Sequence, residues 1–196
     1  MSEQNAGDVK WTDGLVYSDA DREAIIADLG REPRGVFGVG SRTVSGHPLV
    51  LVTAPRLPDG TPFPTTFYLT DPVITVACST LEAEHYMVVL TEKLAEDEEF
   101  AAAHRAAHED YISRRNDIAE LMGTGEVTEI AGISAGGLPN RVKCLHALVG
   151  HSLVAGPGVN LAGDIALEEM RDRGLIPSGY TTLLALELSR DAENDA

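Results

Sequence analysis

The chain has 196 residues, of which 31 are acidic and 15 basic, with a formal net charge of −16 and an apolar fraction of 43%. A chain of this length suits one domain with its own core, since domains of this size bury most of their unfolded surface. The negative charge argues against binding to nucleic acid or anionic membranes, because phosphate recognition requires a basic footprint.

The first part of the chain predicts one helix followed by a small sheet. Ser18-Asp19-Ala20-Asp21 offers capping side chains ahead of a helix over Arg22–Leu29, and Gly30 suits its C-terminal end. A proline-rich segment, residues 54–64, is typical of an ordered loop. Runs rich in valine, leucine and aromatic residues predict three strands, at Val36–Arg42, Leu49–Thr53 and Thr65–Thr70.

The second part of the chain predicts helices, with a glycine-rich loop or lid over residues 123–137 and a last apolar segment at Leu183–Leu188. Because the strands come early and the helices late, we predict an α+β fold rather than alternating α/β. Its small, mainly antiparallel sheet, at about residues 36–70, is packed by C-terminal helices. Apolar spacing places these helices at Thr80–Leu94, Asp97–Leu121, Asn140–Val154 and Asp164–Arg173.

The predicted domain covers residues 18–190, between a flexible N-terminal tail at 1–17 and a polar tail at 191–196. The polar opening lacks the charged-then-apolar layout of an export signal. No run approaches the roughly 20 apolar residues of a membrane span. The two cysteines, Cys78 and Cys144, are distant in sequence. We therefore expect a cytoplasmic protein without a membrane span or a required disulfide.

One stretch, GGLPNRVKCLHALVGHSLVAGPGVNLAGD, has the densest group of chemically capable side chains. On the helix predicted there, Arg141, Cys144 and His151 fall on one edge of an apolar face, because residues three and seven apart nearly superpose. His146 falls on the far flank. A Cys-x-His pair on opposite flanks is a poor ligand arrangement for zinc, and the chain has no CxxC pair.

Three interpretations of this stretch compete. Cys144 is either a nucleophile activated by neighbouring basic groups or a buried structural cysteine. Arg141 and Lys143 either bind a phosphate or carboxylate or are exposed solubilising charges. Zinc binding through Cys144, His146 or His151 is the interpretation that we favour least, and we expect neither a metal ion nor a cofactor.

Two further patterns are interpreted as structural or accidental. His104 and His108 have the spacing of two metal ligands on one helix face, but the Glu that follows the first histidine in zinc proteases is absent. Gly132-Ile133-Ser134-Ala135-Gly136 matches the letters of the nucleophile elbow G-x-S-x-G, yet it follows a glycine-rich segment rather than a strand.

Four segments resemble the bacterial domain-of-unknown-function family 501: RGVFGVGSR, APRLPDGTPFPTTFYLTDP, AAHEDYISRR and AGGLPNRVKCLHALVGHSLVAGPGVNLAGD. The likeness runs from about Arg34 to Leu167, and the last segment is long and specific. The resemblance implies a cytoplasmic bacterial protein without an assigned activity. Genes of the family tend to lie near those of a septum-formation initiator and an exopolyphosphatase, which implies a link with cell division or the envelope.

The chain departs from the family pattern at three cysteine positions. Many members have Cys-x-Cys-Gly where this chain has Thr43-Val44-Ser45-Gly46, and Leu-Thr-Cys-Pro where it has Leu69-Thr70-Asp71-Pro72. If those cysteines bind a metal ion together with Cys144 in relatives, this chain lacks three of the sulfur ligands. The residues that match the family motifs and remain chemically capable are Arg56, Tyr68, His108, Arg141, Lys143, Cys144, His146, His151, Asn160 and Asp164.

We therefore predict that the segment 141–164 binds a small anionic ligand, with or without acid–base catalysis. Arg141 and Lys143 hold the anion. Proton transfer is assigned to His146 or His151, with Asp164 orienting the histidine. Auxiliary nucleophilic attack is assigned to Cys144. Further ligand contacts are assigned to Asn160, Arg56, Tyr68 and His108.

Two alternatives remain open. One is a non-catalytic protein that binds a protein partner of the cell-division or envelope machinery. The other is a degenerate Cys/His metal-site protein. The sequence decides neither whether the protein is an enzyme nor what its oligomeric state is.

Overall fold

The computed structural model describes residues 10–134 and 137–177. The segment Leu183–Leu188, the polar tail at 191–196 and the first nine residues of the predicted flexible tail at 1–17 lie outside these residues. A 3-10 helix, Thr128–Ile130, interrupts the glycine-rich loop. The other elements are α1 (Asp19–Leu29), β1 (Val36–Arg42), β2 (Pro48–Thr53), β3 (Phe67–Leu69), α2 (Pro72–Ala83), α3 (Tyr86–Glu96), α4 (Glu98–Leu121), α5 (Leu145–Ala155) and α6 (Leu161–Asp172).

The three strands form one antiparallel sheet in the order β1-β2-β3, which confirms the predicted α+β class. Helix α5 packs against this sheet, mainly on β3, and α6 packs against α5. Within the described residues no single helix is long and apolar enough to cross a membrane, although α2 and α3, bent by 70° at their junction, meet the same criteria as a pair.

Both faces of the central strand β2 are covered, and all of its residues are buried. Because successive side chains of a strand point to opposite faces, Leu51 packs with Ile25 of α1 and Val39 of β1. Val50 and Val52 pack into the larger core on the opposite face. Burial on both faces explains why the strand is an unbroken apolar run rather than an alternating one.

Two glycines allow α5 to lie close to its neighbours. A methyl group on Gly150 would lie 2.9 Å from the carbonyl oxygen of Phe67 in β3. A methyl group on Gly163 in α6 would clash with the carbonyl oxygen of Leu148 in α5. Helix α5 therefore rests directly on the backbone of β3, and α6 rests directly on α5, so the N-terminal end of α5 has a fixed position beside the sheet.

The helix predicted over Thr80–Leu94 is wrong, because the chain breaks between α2 and α3. His85 adopts a left-handed backbone conformation (φ 64°) at this break. Helix α2 begins earlier than predicted, where the buried Asp71 side chain accepts the N–H of Ile74 (2.8 Å) and Pro72 opens the first turn. The predicted stretch contains neither glycine nor proline, so no local signal marks the break.

The segment just before α1 packs on α4. The indole N–H of Trp11 donates to Asp117 (2.8 Å), and its ring meets Phe67 edge-on with centroids 6.0 Å apart. The guanidinium of Arg114 lies over the same ring, 5.1 Å from the centroid. Trp11 thus connects the N-terminal segment to the aromatic part of the core.

Asp21 ties the start of α1 to the end of β1. Its carboxylate accepts the backbone N–H of Ser18 (2.8 Å) in a capping box, and it also accepts two hydrogen bonds from the guanidinium of Arg42. The Arg42 contact, followed by the Ser18 N–H, holds the pKa of Asp21 well below its usual range, although burial opposes this shift. The ionised carboxylate is therefore favoured in the folded protein.

Replacing Asp21 by Asn should lower the free energy of unfolding by about 1–3 kcal/mol at pH 7, because a charge-assisted hydrogen-bonded pair is lost. Since the folded pKa is depressed, this contribution is complete above the unfolded pKa of about 3.9 and is lost progressively as the pH falls from there through the lower folded pKa. Urea unfolding of both proteins from pH 7 to pH 3 should show the difference shrinking. A difference that stays constant with pH would contradict the assigned role of the carboxylate.

Candidate functional site

Helix α5 begins at Leu145, later than the helix predicted over Asn140–Val154. Cys144 immediately precedes the helix and has an extended backbone (φ −148°, ψ 115°) without a side-chain cap. Arg141 therefore does not lie on the helix, and the predicted edge shared by Arg141, Cys144 and His151 is wrong. The prediction that Cys144 and His146 lie on opposite flanks of one helix is also wrong, because Cys144 precedes the helix.

Glu82 of α2 reaches the N-terminus of α5. Its Oε1 accepts the backbone N–H of Leu145 (2.6 Å) and lies 3.1 Å from Nδ1 of His146. A carboxylate at this position satisfies an amide that has no partner within the helix and interacts favourably with the positive end of the helix dipole. Glu82 thus supplies, from another helix, the cap that Cys144 does not provide.

Glu82, Cys144 and His146 each present one possible metal-ligand atom, and these atoms lie within 4.8 Å of one another. Within residues 10–134 and 137–177 no other three histidine, cysteine or acidic side chains converge in this way. A hydrogen bond with Cys144, followed by the interaction with Glu82, raises the pKa of His146 to about 9, although burial opposes the rise. The imidazole therefore lies between two groups that can carry negative charge.

The Cys144 and His146 side chains line a cavity of about 490 Å³ that lies between the sheet, α1, α2 and α5. This volume is in the range of small-molecule sites. Tyr68 lines the same cavity and accepts a hydrogen bond from Arg31 (2.9 Å). Ser79 lies at the histidine, with its Oγ 3.4 Å from Nε2 of His146. The remaining walls come largely from β3 and the start of α2, including Leu69, Thr70, Pro72, Thr75 and Val76.

His151 is fully buried, and both of its ring nitrogens have protein partners. The side-chain amide of Asn160 donates to Nδ1 (3.1 Å), because its oxygen already accepts the N–H of Gly163. Nε2–H therefore donates to Asp110 (2.8 Å). Burial lowers the pKa of His151 despite the Asp110 carboxylate, which favours the neutral ring. Its position supports a structural role and gives no support to the predicted proton transfer.

Asp164 and Asn160 also have structural partners. The Asp164 carboxylate accepts the hydroxyl of Ser152 and the backbone N–H of Gly158 (2.7 Å), which holds the turn between α5 and α6. Asn160 caps α6 through the N–H of Gly163 (3.0 Å). Neither residue lines the cavity beside Cys144.

The predicted basic residues lie apart from this cavity. Arg141 and Lys143 are exposed, and neither lines it. Arg56 pairs with Glu129 (2.8 Å) and joins the proline-rich loop to the glycine-rich one. His108 Nδ1 lies 2.6 Å from the Ser134 hydroxyl. Of the predicted site residues, the cavity brings together Cys144, His146 and Tyr68.

Glu82 was not among the predicted site residues. It lies 62 residues before Cys144 in the numbering, and no spacing motif relates the two. Its only sequence signal is a charged residue next to the buried Leu81 on an apolar helix. The contact depends on the crossing of α2 and α5, which local sequence patterns do not encode.

The nucleophile-elbow match at Ser134 lacks the expected context. Ser134 and Gly137 form an isolated antiparallel bridge, in which the backbone N–H of each donates to the carbonyl of the other (3.0 Å). A nucleophile elbow instead requires a strand running into a helix. No strand of the described residues ends at Ser134, which supports the interpretation of the motif as accidental.

A family model described as "Protein of unknown function (DUF501)" matches residues 39–168. The matched region covers most of the sheet and contains Glu82, Cys144 and His146. No curated protein and no solved structure gives a significant match to the chain.

The two histidines of α5 should respond differently to truncation. His151→Ala should lower the free energy of unfolding by about 2–5 kcal/mol, because it leaves a buried cavity and removes one hydrogen-bond partner each from Asp110 and Asn160. His146→Ala should cost less, because His146 lies at the wall of an open cavity and its pair with Glu82 is partly exposed to solvent. Urea unfolding of both variants at pH 7 measures the contrast. Equal losses would contradict the separate roles of these histidines.

Proposed function

The chain belongs to the DUF501 family of proteins of unknown function, and we propose that it binds one divalent transition-metal ion of the zinc type at Glu82, Cys144 and His146. An open coordination position faces the adjoining cavity and takes the anionic group of a small ligand. The observation that carries this proposal is the convergence of a sulfur, an imidazole nitrogen and a carboxylate oxygen, of which the first two belong to residues that line the cavity.

The donor set fits a zinc-like ion. Thiolate and imidazole ligands favour Zn²⁺ over Mg²⁺ or Ca²⁺, which prefer oxygen. Three protein ligands with a free fourth position are typical of catalytic zinc sites, whereas structural sites use four protein ligands. When bound, such an ion supplies a Lewis acid and lowers the pKa of a coordinated water.

The surrounding contacts are compatible with metal binding. Both hydrogen bonds to Glu82 use Oε1, so Oε2 accepts none from the described residues. Nδ1 of His146 lies 3.1 Å from Oε1 of Glu82, so this nitrogen and the carboxylate can share one ion, which would displace the proton of the ring. Glu82, Cys144 and His146 are partly exposed, so modest side-chain rotations can bring the ligand atoms to bonding distance.

A metal ion at this site would replace the single positive charge of His146, whose pKa is raised, by a larger charge that favours an anionic ligand. The lining residues include Asp28 but neither a lysine nor an arginine. A bound metal ion would supply the positive charge that the sequence assigned to Arg141 and Lys143. The proposed ligand is therefore still anionic, as predicted from the sequence. A metal ion rather than Arg141 and Lys143 binds it.

Metal binding is tested by titrating chelator-treated protein with Zn²⁺ and Co²⁺. We expect one ion per chain and a thiolate-to-cobalt charge-transfer band. Cys144→Ser should abolish the band, and His146→Asn and Glu82→Gln should each weaken binding by at least about tenfold. His85→Asn is a matched control because His85 is exposed and asparagine tolerates its left-handed backbone. Absence of stoichiometric binding, or a band that survives Cys144→Ser, would refute the site.

Anion binding is tested on the Co²⁺-loaded protein with inorganic phosphate and acetate as probes. Because the ion rather than the exposed bases holds the anion, either probe should change the cobalt spectrum, and an Arg141→Ala, Lys143→Ala double variant should respond like the wild type. A response that is lost in this double variant would instead support the assignment made from the sequence. No response to either anion would remove the ligand part of the proposal and leave metal binding alone.

A further inference from the structure

A second cavity, of about 150 Å³, contains a buried cation. Arg115 of α4 lines this cavity and is only 3% exposed. Its guanidinium donates to the carbonyl oxygen of Ile133, and no carboxylate of the described residues pairs with it. A buried charge without a counter-ion is costly, since burial removes much of its hydration and no opposite charge compensates for the loss.

The pKa shifts around Arg115 are consistent with the lack of a counter-ion. Burial lowers the pKa of Arg115, with partial compensation from Tyr111. His108 also has a lowered pKa, first because of burial and further because of the positive charge of Arg115, although Glu109 opposes the shift. Glu129 of the covering loop is already paired with Arg56. The interior around Arg115 is therefore short of negative charge in a protein that is strongly acidic overall.

The shape of the cavity limits what can bind in it. Its volume corresponds to about five water-sized groups, at about 30 Å³ for each. The mouth has the exposed residues Asn116 and Glu126. The walls are largely apolar and come from α4, the proline-rich loop and the glycine-rich loop, at Pro55, Ile112, Ala119, Val127 and Ala131.

We propose that this cavity binds the carboxylate of a small molecule with a short apolar body. Arg115 pairs with the carboxylate, since the planar guanidinium presents parallel N–H donors that match its two oxygens. The apolar walls contact the rest of the ligand. A phosphate dianion fits less well, because the cavity holds one cation and Glu126 lies at its mouth. This site is separate from the proposed metal site and does not depend on it.

The test is a titration of the full chain with sodium propionate, at constant ionic strength and in the presence of a chelator, followed by ¹H–¹⁵N correlation spectra. The chelator prevents the anion from binding at a metal ion. We expect saturable shifts of amides in residues 112–119 and 126–133, together with a shift of the Arg115 side-chain Nε–H signal. Inorganic phosphate should cause much smaller changes at the same amides.

Two variants test the location of the site. Ala131→Phe fills the mouth from an exposed position and leaves Arg115 in place, so it should weaken propionate binding by roughly tenfold or more. Arg115→Met should abolish binding; if it fails to fold, Ala131→Phe still decides the question. Ala106→Phe, on the exposed face of the same helix, is the matched control and should bind like the wild type.

The outcomes are distinct. Saturable shifts that Ala131→Phe removes support the proposal. Absence of saturable shifts, or shifts that survive Ala131→Phe, would refute a carboxylate site at Arg115 and leave Ile133 as its structural partner. Binding of phosphate as tightly as propionate would refute the carboxylate class.

Discussion

The fold depends on a histidine enclosed in the core. His151 stacks on Phe67 of β3, with ring centroids 5.1 Å apart, and meets Tyr111 of α4 edge-on at 5.3 Å. Its ring nitrogens bond to Asp110 of α4 and to Asn160, which caps α6. One side chain thus connects the sheet and three helices. Because both nitrogens are occupied, the hydrogen bonds that satisfy the ring also define how α4, α5 and α6 meet.

This constraint also positions the candidate metal site. Helix α5 is held at His151 and pressed against β3 at Gly150, so its N-terminus has little freedom to move. Cys144 and His146 at that end therefore face Glu82 of α2 beside the large cavity. The pKa values of the two histidines of α5, His146 and His151, are therefore shifted in opposite directions. The buried ring favours its neutral form, whereas the ring at the cavity lies between a thiol and a carboxylate.

Local sequence patterns were sufficient to predict an element where the interacting residues are close together in the chain. The strand β1 has the predicted bounds, Val36–Arg42, because its valine-rich pattern and the following turn are local features. The predicted capping segment does cap α1, with Ser18 and Asp21 bonding to each other's backbone, although the helix begins at Asp19 rather than at Arg22. The break at His85 was missed, because tertiary packing rather than glycine or proline produces it.

The sequence by itself determined the α+β class, the family resemblance and the importance of Cys144 and His146. Only the tertiary structure decided where α5 begins, since the group that caps Leu145 is Glu82 of another helix rather than a neighbouring residue. The tertiary structure also determines that His151 is buried and Arg141 is exposed. It determines too that Arg115 pairs with no carboxylate of the described residues. Periodicity and capping rules act over a few residues, whereas burial and charge pairing are set by elements far apart in the chain.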